Sequence, residues 1–138
     1  MELVSHVVVD GHTSIGAGAK LFPFCTVGLP PQDLKYRGEP TRTEVGARTQ
    51  VREHVTINRS IHAGKATTVG AGCFLMANAH VAHDCAVADH VVLANNAMLA
   101  GHVEIGAHTF VGGGAGLHQY CRIGEGVMVA GNAAVDSA

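Results

Sequence analysis

The 138-residue chain contains no tryptophan, and aromatic residues make up only 4% of it. That excludes a core built on large rings, so burial must come from small aliphatic side chains. Charge is scarce as well: 14% of residues are charged and the formal net charge is -2. Such a balance offers no basic footprint for nucleic acid and no polybasic patch for a membrane surface. No apolar run approaches the ~20 residues needed to span a bilayer. The opening residues, MELVSHVVVDGH, have neither the basic start nor the cleavage site of a secretory signal, so a cytoplasmic address is expected. Helical periodicity is missing along the whole chain, which points to an all-β fold.

What is present is a beat of six residues. Counting in sixes from Leu3 reaches Val135 in 23 slots, and 20 of these are Ile, Leu or Val. Only Asp33, Glu39 and Ala63 miss. Outside the interruptions, the residue four places after each slot is small: Ala19, Cys25, Thr49, Cys73, Ala79, Cys85, Ala97, Ala115 and Cys121 among others. An aliphatic residue followed by a small one fits a flat strand of about five residues and then a tight turn. Three hexads make a triangular coil, so residues 18 apart should lie one above another, with backbone bonds running between coils. The expected fold is therefore a single parallel β-helix over 1–138, with excursions at about 28–44 and 58–68. A core this poor in large side chains favours further burial between copies of the chain.

Several apparent motifs dissolve into that pattern. All four cysteines (Cys25, Cys73, Cys85 and Cys121) occupy the small place and are expected to pack as small hydrophobes. GGGAG at 112–116 lacks the lysine of a phosphate loop, and its glycines occupy turn places. Most of the ten histidines fall in the fourth place of a hexad, where a polar corner suffices. His83 does not: it takes the third place, expected to be mid-strand, with Asp84 beside it. Stacking by 18 puts Gly101 and Gln119 in its column, and His102 and Tyr120 in that of Asp84. A bare glycine beside a histidine lets a backbone N–H approach the centre that the imidazole serves, so this column is a candidate acyl-transfer site. The charge-rich loop PPQDLKYRGEPTR, residues 30–42, is the other concentration of chemistry. The shorter excursion at 58–68 shows none.

The hexads resemble those of the left-handed parallel β-helix acyltransferases. QDLKYRGEPTR, VREHVTINR, ANAHVAHDC, LANNAMLAGHVEIG and GLHQYCRIG together resemble the UDP-N-acetylglucosamine O-acyltransferases, which open lipid A biosynthesis. The resemblance implies a homotrimer with sites between neighbouring helices. It implies transfer of a 3-hydroxyacyl group from acyl carrier protein to the 3-hydroxyl of UDP-N-acetylglucosamine, with no cofactor and no metal. By the same resemblance His83 is the general base, Asp84 its orienting partner and Gly101 the backbone donor to the oxyanion. Asp33 and Lys35 hold the glucosamine and acyl portions, and His80, His102, His118 and Gln119 line the site. Gly131 admits the end of the acyl chain. Compared with that family the sequence lacks the first coils and the C-terminal helical domain, so ligand-contacting residues of those parts have no counterpart here. Two other readings are open: a non-catalytic scaffold or binding remnant, and a zinc enzyme resembling the β-helical carbonic anhydrases, with His80, His83 and His102 as ligands.

Overall fold

The computed structural model describes residues 1–136. Short parallel strands stack into three sheets, two of seven strands and one of six, that form the sides of a prism. Along the first sheet lie Glu2–Leu3, Lys20–Leu21, Gln50–Val51, Phe74–Leu75, Val92–Leu93, Phe110–Val111 and Met128–Val129. The second carries Thr26–Leu29, Thr56–Asn58, His80–Val81, Met98–Leu99 and Gly116–Leu117 between Val8–Val9 and Ala134–Val135. The third runs from His12–Ile15 to Arg122–Ile123. No helix is present among the described residues.

The slot residue of each hexad points inward. Leu21, Val51, Ile57, Leu75, Val81, Leu93, Leu99, Val111 and Leu117 are all buried, and the small place (Ala79, Ala97, Ala115 and the four cysteines) fills the corners between them. At the first coil the core is open, and Leu3 and Val9 are exposed. The cysteines are free and buried. Burial pushes the Cys25 thiol up to about 11 and the Cys85 thiol up to about 12, so both stay protonated and serve as packing.

Two details differ from the expected hexad. Most strands are two residues long rather than about five, and consist of the sixth place and the following aliphatic slot. His83 therefore sits in the turn with Asp84 and not in mid-strand. The cause is the fourth place, where φ is positive: His6, His54, Asn78, Asp84, His90, Asn96, His102, His108, Tyr120 and Asn132 all lie between 50° and 67°. Asn, Asp and His tolerate the left-handed region better than other side chains. That preference accounts for much of the histidine content.

Register explains why the beat survives its interruptions. Most paired strands are 18 residues apart, as with Phe74 and Val92. Across the first excursion the offset is 30, Lys20 pairing with Gln50, and across the second it is 24, Gln50 pairing with Phe74. The loops therefore add twelve and six residues, both whole numbers of hexads. They are shorter than expected, spanning 30–41 and 59–65 between the flanking strands.

Candidate active site

His83 is 6% exposed, and a carboxylate lies beside each of its ring nitrogens. Its Nδ1 lies 3.0 Å from Asp84 Oδ2. A carboxylate only accepts, so Nδ1 carries the proton and the neutral ring keeps its lone pair at Nε2. Nε2 faces the loop carboxylate of Asp33, whose Oδ2 is 3.5 Å away. Asp84 is fixed from behind: Ser60 Oγ donates to its Oδ1, Ile61 N–H to its Oδ2 at 3.2 Å, and its own N–H donates to Thr67 Oγ1 at 2.8 Å. Burial by itself would raise the Asp84 carboxyl, but Ser60, Ile61 and His83 outweigh it and hold the group below its ordinary value.

Gly101 stacks directly on the ring. A Cβ at that position would lie 2.5 Å from His83 Cε1 and 2.6 Å from Nε2, so only glycine fits. His102 N–H donates to His83 O at 3.1 Å and Tyr120 N–H to Gly101 O at 3.2 Å, which carries the column downward. Gly101 N–H has no hydrogen-bond acceptor among the described residues. The loop that brings Asp33 here is braced internally. Asp33 Oδ1 accepts Lys35 N–H at 2.8 Å, Tyr36 Oη donates to Glu39 O at 2.9 Å, and Arg59 Nε donates to Gly28 O at 2.7 Å at the loop's root.

These groups border a groove of about 930 Å3 along the outer face of the second sheet. Asp33, His80, His83, Gly101, His118 and Gln119 line it, with an apolar stretch from Ala82, Met98 and Ala100. His102 is stacked on Tyr120, with ring centroids 4.6 Å apart, and meets His83 edge-on. Burial lowers its pKa, and the neighbouring His83 and His62 lower it further against the pull of Asp84. Lys35 is exposed on the loop and Gly131 lies against Gly113 at the far corner of that sheet; neither lines the groove of the single chain.

His80 Nδ1 lies 2.6 Å from Thr56 Oγ1. Burial holds its pKa below the ordinary 6.5, with the Thr56 contact opposing and the nearby His83 assisting. The unfolded chain therefore binds this proton more readily than the folded one. Stability is complete above 6.5 and drains away as pH falls through the depressed folded value. Thermal melting followed from about pH 8 to about pH 5 is expected to show a falling midpoint, and His80→Gln a flatter profile. An equally steep profile in the variant would remove His80 as the cause.

The excursion at 58–68, in which no chemistry was expected, supplies the support of the whole site. Ser60, Ile61 and Thr67 fix Asp84, and His62 Nε2 lies 3.0 Å from His102 Nε2. The sequence signal was the offset of 24: counting back 24 from Asp84 reaches Ser60, whereas counting 18 reaches Ala66. His80, His83 and His102, the set considered for zinc, do not converge; among the described residues the three groups that do are His62, Asp84 and His102.

Residues 66–101 match the bacterial transferase hexapeptide family of six repeats. An acyl-[acyl-carrier-protein]–UDP-N-acetylglucosamine O-acyltransferase of Anaeromyxobacter is 48% identical over 122 residues, covering 88% of this chain and 48% of that protein. A crystal structure of a UDP-N-acetylglucosamine acyltransferase superposes with a TM-score of 0.93 at 42% identity, covering 97% of this chain and 53% of the other. The Bacteroides fragilis UDP-N-acetylglucosamine acyltransferase gives 0.92 at 35% identity, over 94% of this chain and 51% of that one. The chain thus spans about half the length of these relatives. No described helix is long and apolar enough to cross a membrane. The prism is a left-handed parallel β-helix, and over nearly its whole length the chain is similar to UDP-N-acetylglucosamine acyltransferases.

Proposed function

We propose that this chain carries the catalytic column of an acyltransferase acting on UDP-N-acetylglucosamine and a 3-hydroxyacyl group borne by acyl carrier protein. The observation that carries the reading is the stack of Asp84, His83 and Gly101 at one edge of an open, partly apolar groove. A sugar hydroxyl is a poor nucleophile at neutral pH, and His83 Nε2 takes its proton as the oxygen attacks the thioester carbonyl. Asp84 stabilises the imidazolium that forms. Gly101 N–H donates to the carbonyl oxygen as it becomes negative. When the carbon–sulfur bond breaks, the imidazolium returns the proton to the departing thiol, leaving an ester and a free carrier.

The remaining assignments rest on the resemblance of the sequence motifs. Asp33 and Lys35 hold the sugar and the acyl group from the loop, and His80, His102, His118 and Gln119 border them. Gly131 takes its place in the acyl path only when a neighbouring copy closes the groove, in a cytoplasmic homotrimer. The groove's open side and the exposed Met98 and Phe110 are consistent with such a partner. An assay of the chain as it stands, with a 3-hydroxyacyl carrier protein and UDP-N-acetylglucosamine, is expected to yield the 3-O-acyl product. If a longer relative turns over under the same conditions and this chain does not, the reading of a non-catalytic binding remnant replaces it.

A further inference from the structure

His62 has no part in the reaction above, yet its Nε2 points at that of His102 from 3.0 Å. Asp84 Oδ2 lies 3.7 Å from His102 Nε2, and the three donor atoms fall within 4.8 Å of one another. We propose that His62, His102 and Asp84 form a binding site for a zinc-like divalent transition ion, and that occupancy of this site inhibits the His83–Asp84 pair.

The donor set is the first argument. Two imidazoles and one carboxylate suit zinc and its neighbours, and leave a fourth position for water. A single carboxylate with no other charged oxygen is a poor site for magnesium or calcium. Distance is the second argument. Bonds of about 2.0–2.2 Å in a tetrahedron place donor atoms about 3.3 Å apart. The 3.0 Å and 3.7 Å separations bracket that edge.

The ligands are also held in place. The His102 ring is stacked on Tyr120 with an angle of 9° between planes. Asp84 is anchored by Ser60 and Ile61. His62 is carried by the same short loop, and its N–H donates to Ser60 Oγ at 2.9 Å. His62 is exposed, which gives an ion a route from solvent. The cost to catalysis comes through one atom. Asp84 Oδ2 is the oxygen that holds His83 Nδ1 at 3.0 Å, so an ion drawing on it loosens the imidazole. That consequence rests on the acyl-transfer reading, whereas binding of the ion does not.

Titration of the full chain with Co2+, followed by visible absorption, tests the site directly. A tetrahedral cobalt spectrum that saturates near one equivalent and is displaced by Zn2+ is expected. His62→Ala and His102→Ala should each weaken binding by at least about tenfold, while His90→Ala, in a separate stacked pair with His108, should not. Melting curves check that the variants are folded, and His62→Gln serves should His62→Ala not be. Absence of a tetrahedral spectrum at saturating cobalt, or binding that survives His62→Ala, overturns the site. Zn2+ should slow acyl transfer by the native chain and not by His62→Ala. Metal binding without that difference overturns the inhibition while the site stands, and a chain without transfer activity leaves the cobalt titration to decide the site.

Discussion

Replacing His83 by alanine is expected to slow acyl transfer by about 10²–10⁴-fold while moving the melting temperature little. On the proposed mechanism the ring is the proton acceptor, and its loss leaves the sugar hydroxyl without the base that faces the groove beside Gly101. Stability should hold because Asp84 is not orphaned by the change: Ser60 and Ile61 still donate to it. The space left lies at the wall of an open groove, where water refills it. Asp84→Asn is expected to cost less rate, since the imidazole remains. It should cost more stability, because one amide N–H must then face donors that expect an acceptor. Turnover and thermal melting of the two variants, measured together, separate the roles. Near-normal turnover for His83→Ala, or a collapse in melting that accounts for the lost rate, would make the histidine structural.

The fold was legible because its signal is periodic and its interruptions are whole hexads. The inward slots from Leu21 to Leu117 could be counted straight through both loops, and only Asp33, Glu39 and Ala63 stood out as loop residues. The column of His83, Gly101 and Gln119 was legible for the same reason, since the coils below Val69 carry no insertion. Above that point the arithmetic changes. Ser60 faces Asp84 only because the second excursion lengthens its coil by six residues, and nothing local to RSIHAGKAT announces that length. Strand length was misjudged because hydrophobic pattern marks which way a side chain points, not which backbone angles it takes. The positive φ at the fourth place pulls the third place into the turn as well, and His83 with it. Lys35 and Gly131 stand apart from both cases. Nothing in their spacing assigns them a role, and in the single chain neither borders the groove.

Gly101→Ala is expected to abolish measurable transfer as fully as loss of His83, although it adds one methyl group and removes no functional atom. The φ of Gly101 is outside the left-handed region, so alanine meets no backbone penalty there. The conflict is with the His83 ring: the new Cβ would sit 2.5 Å from its Cε1 and 2.6 Å from its Nε2. Carbon atoms rest about 3.5–4.0 Å apart, so the imidazole must swing away by about 1 Å or more. It cannot do so freely, because Nδ1 is bonded to Asp84 and the ring's edge meets His102. Either the bond to Asp84 breaks or the coil shifts, and both take Nε2 out of line with the attacking hydroxyl. A misplacement of about 1 Å costs on the order of 10²-fold by itself. Loss of the orienting carboxylate adds to that. Gly124→Ala is the matched control: its added Cβ would meet only Val127 Cγ2, at 3.9 Å, away from the site. Rates, melting curves and the His83 ring resonances of both variants decide the matter. Gly101→Ala should retain a cooperative transition with displaced His83 signals, and Gly124→Ala should match the parent in all three. Full turnover by Gly101→Ala would show that the column has more room than its geometry allows, and the pairing of base with oxyanion donor would be lost with it.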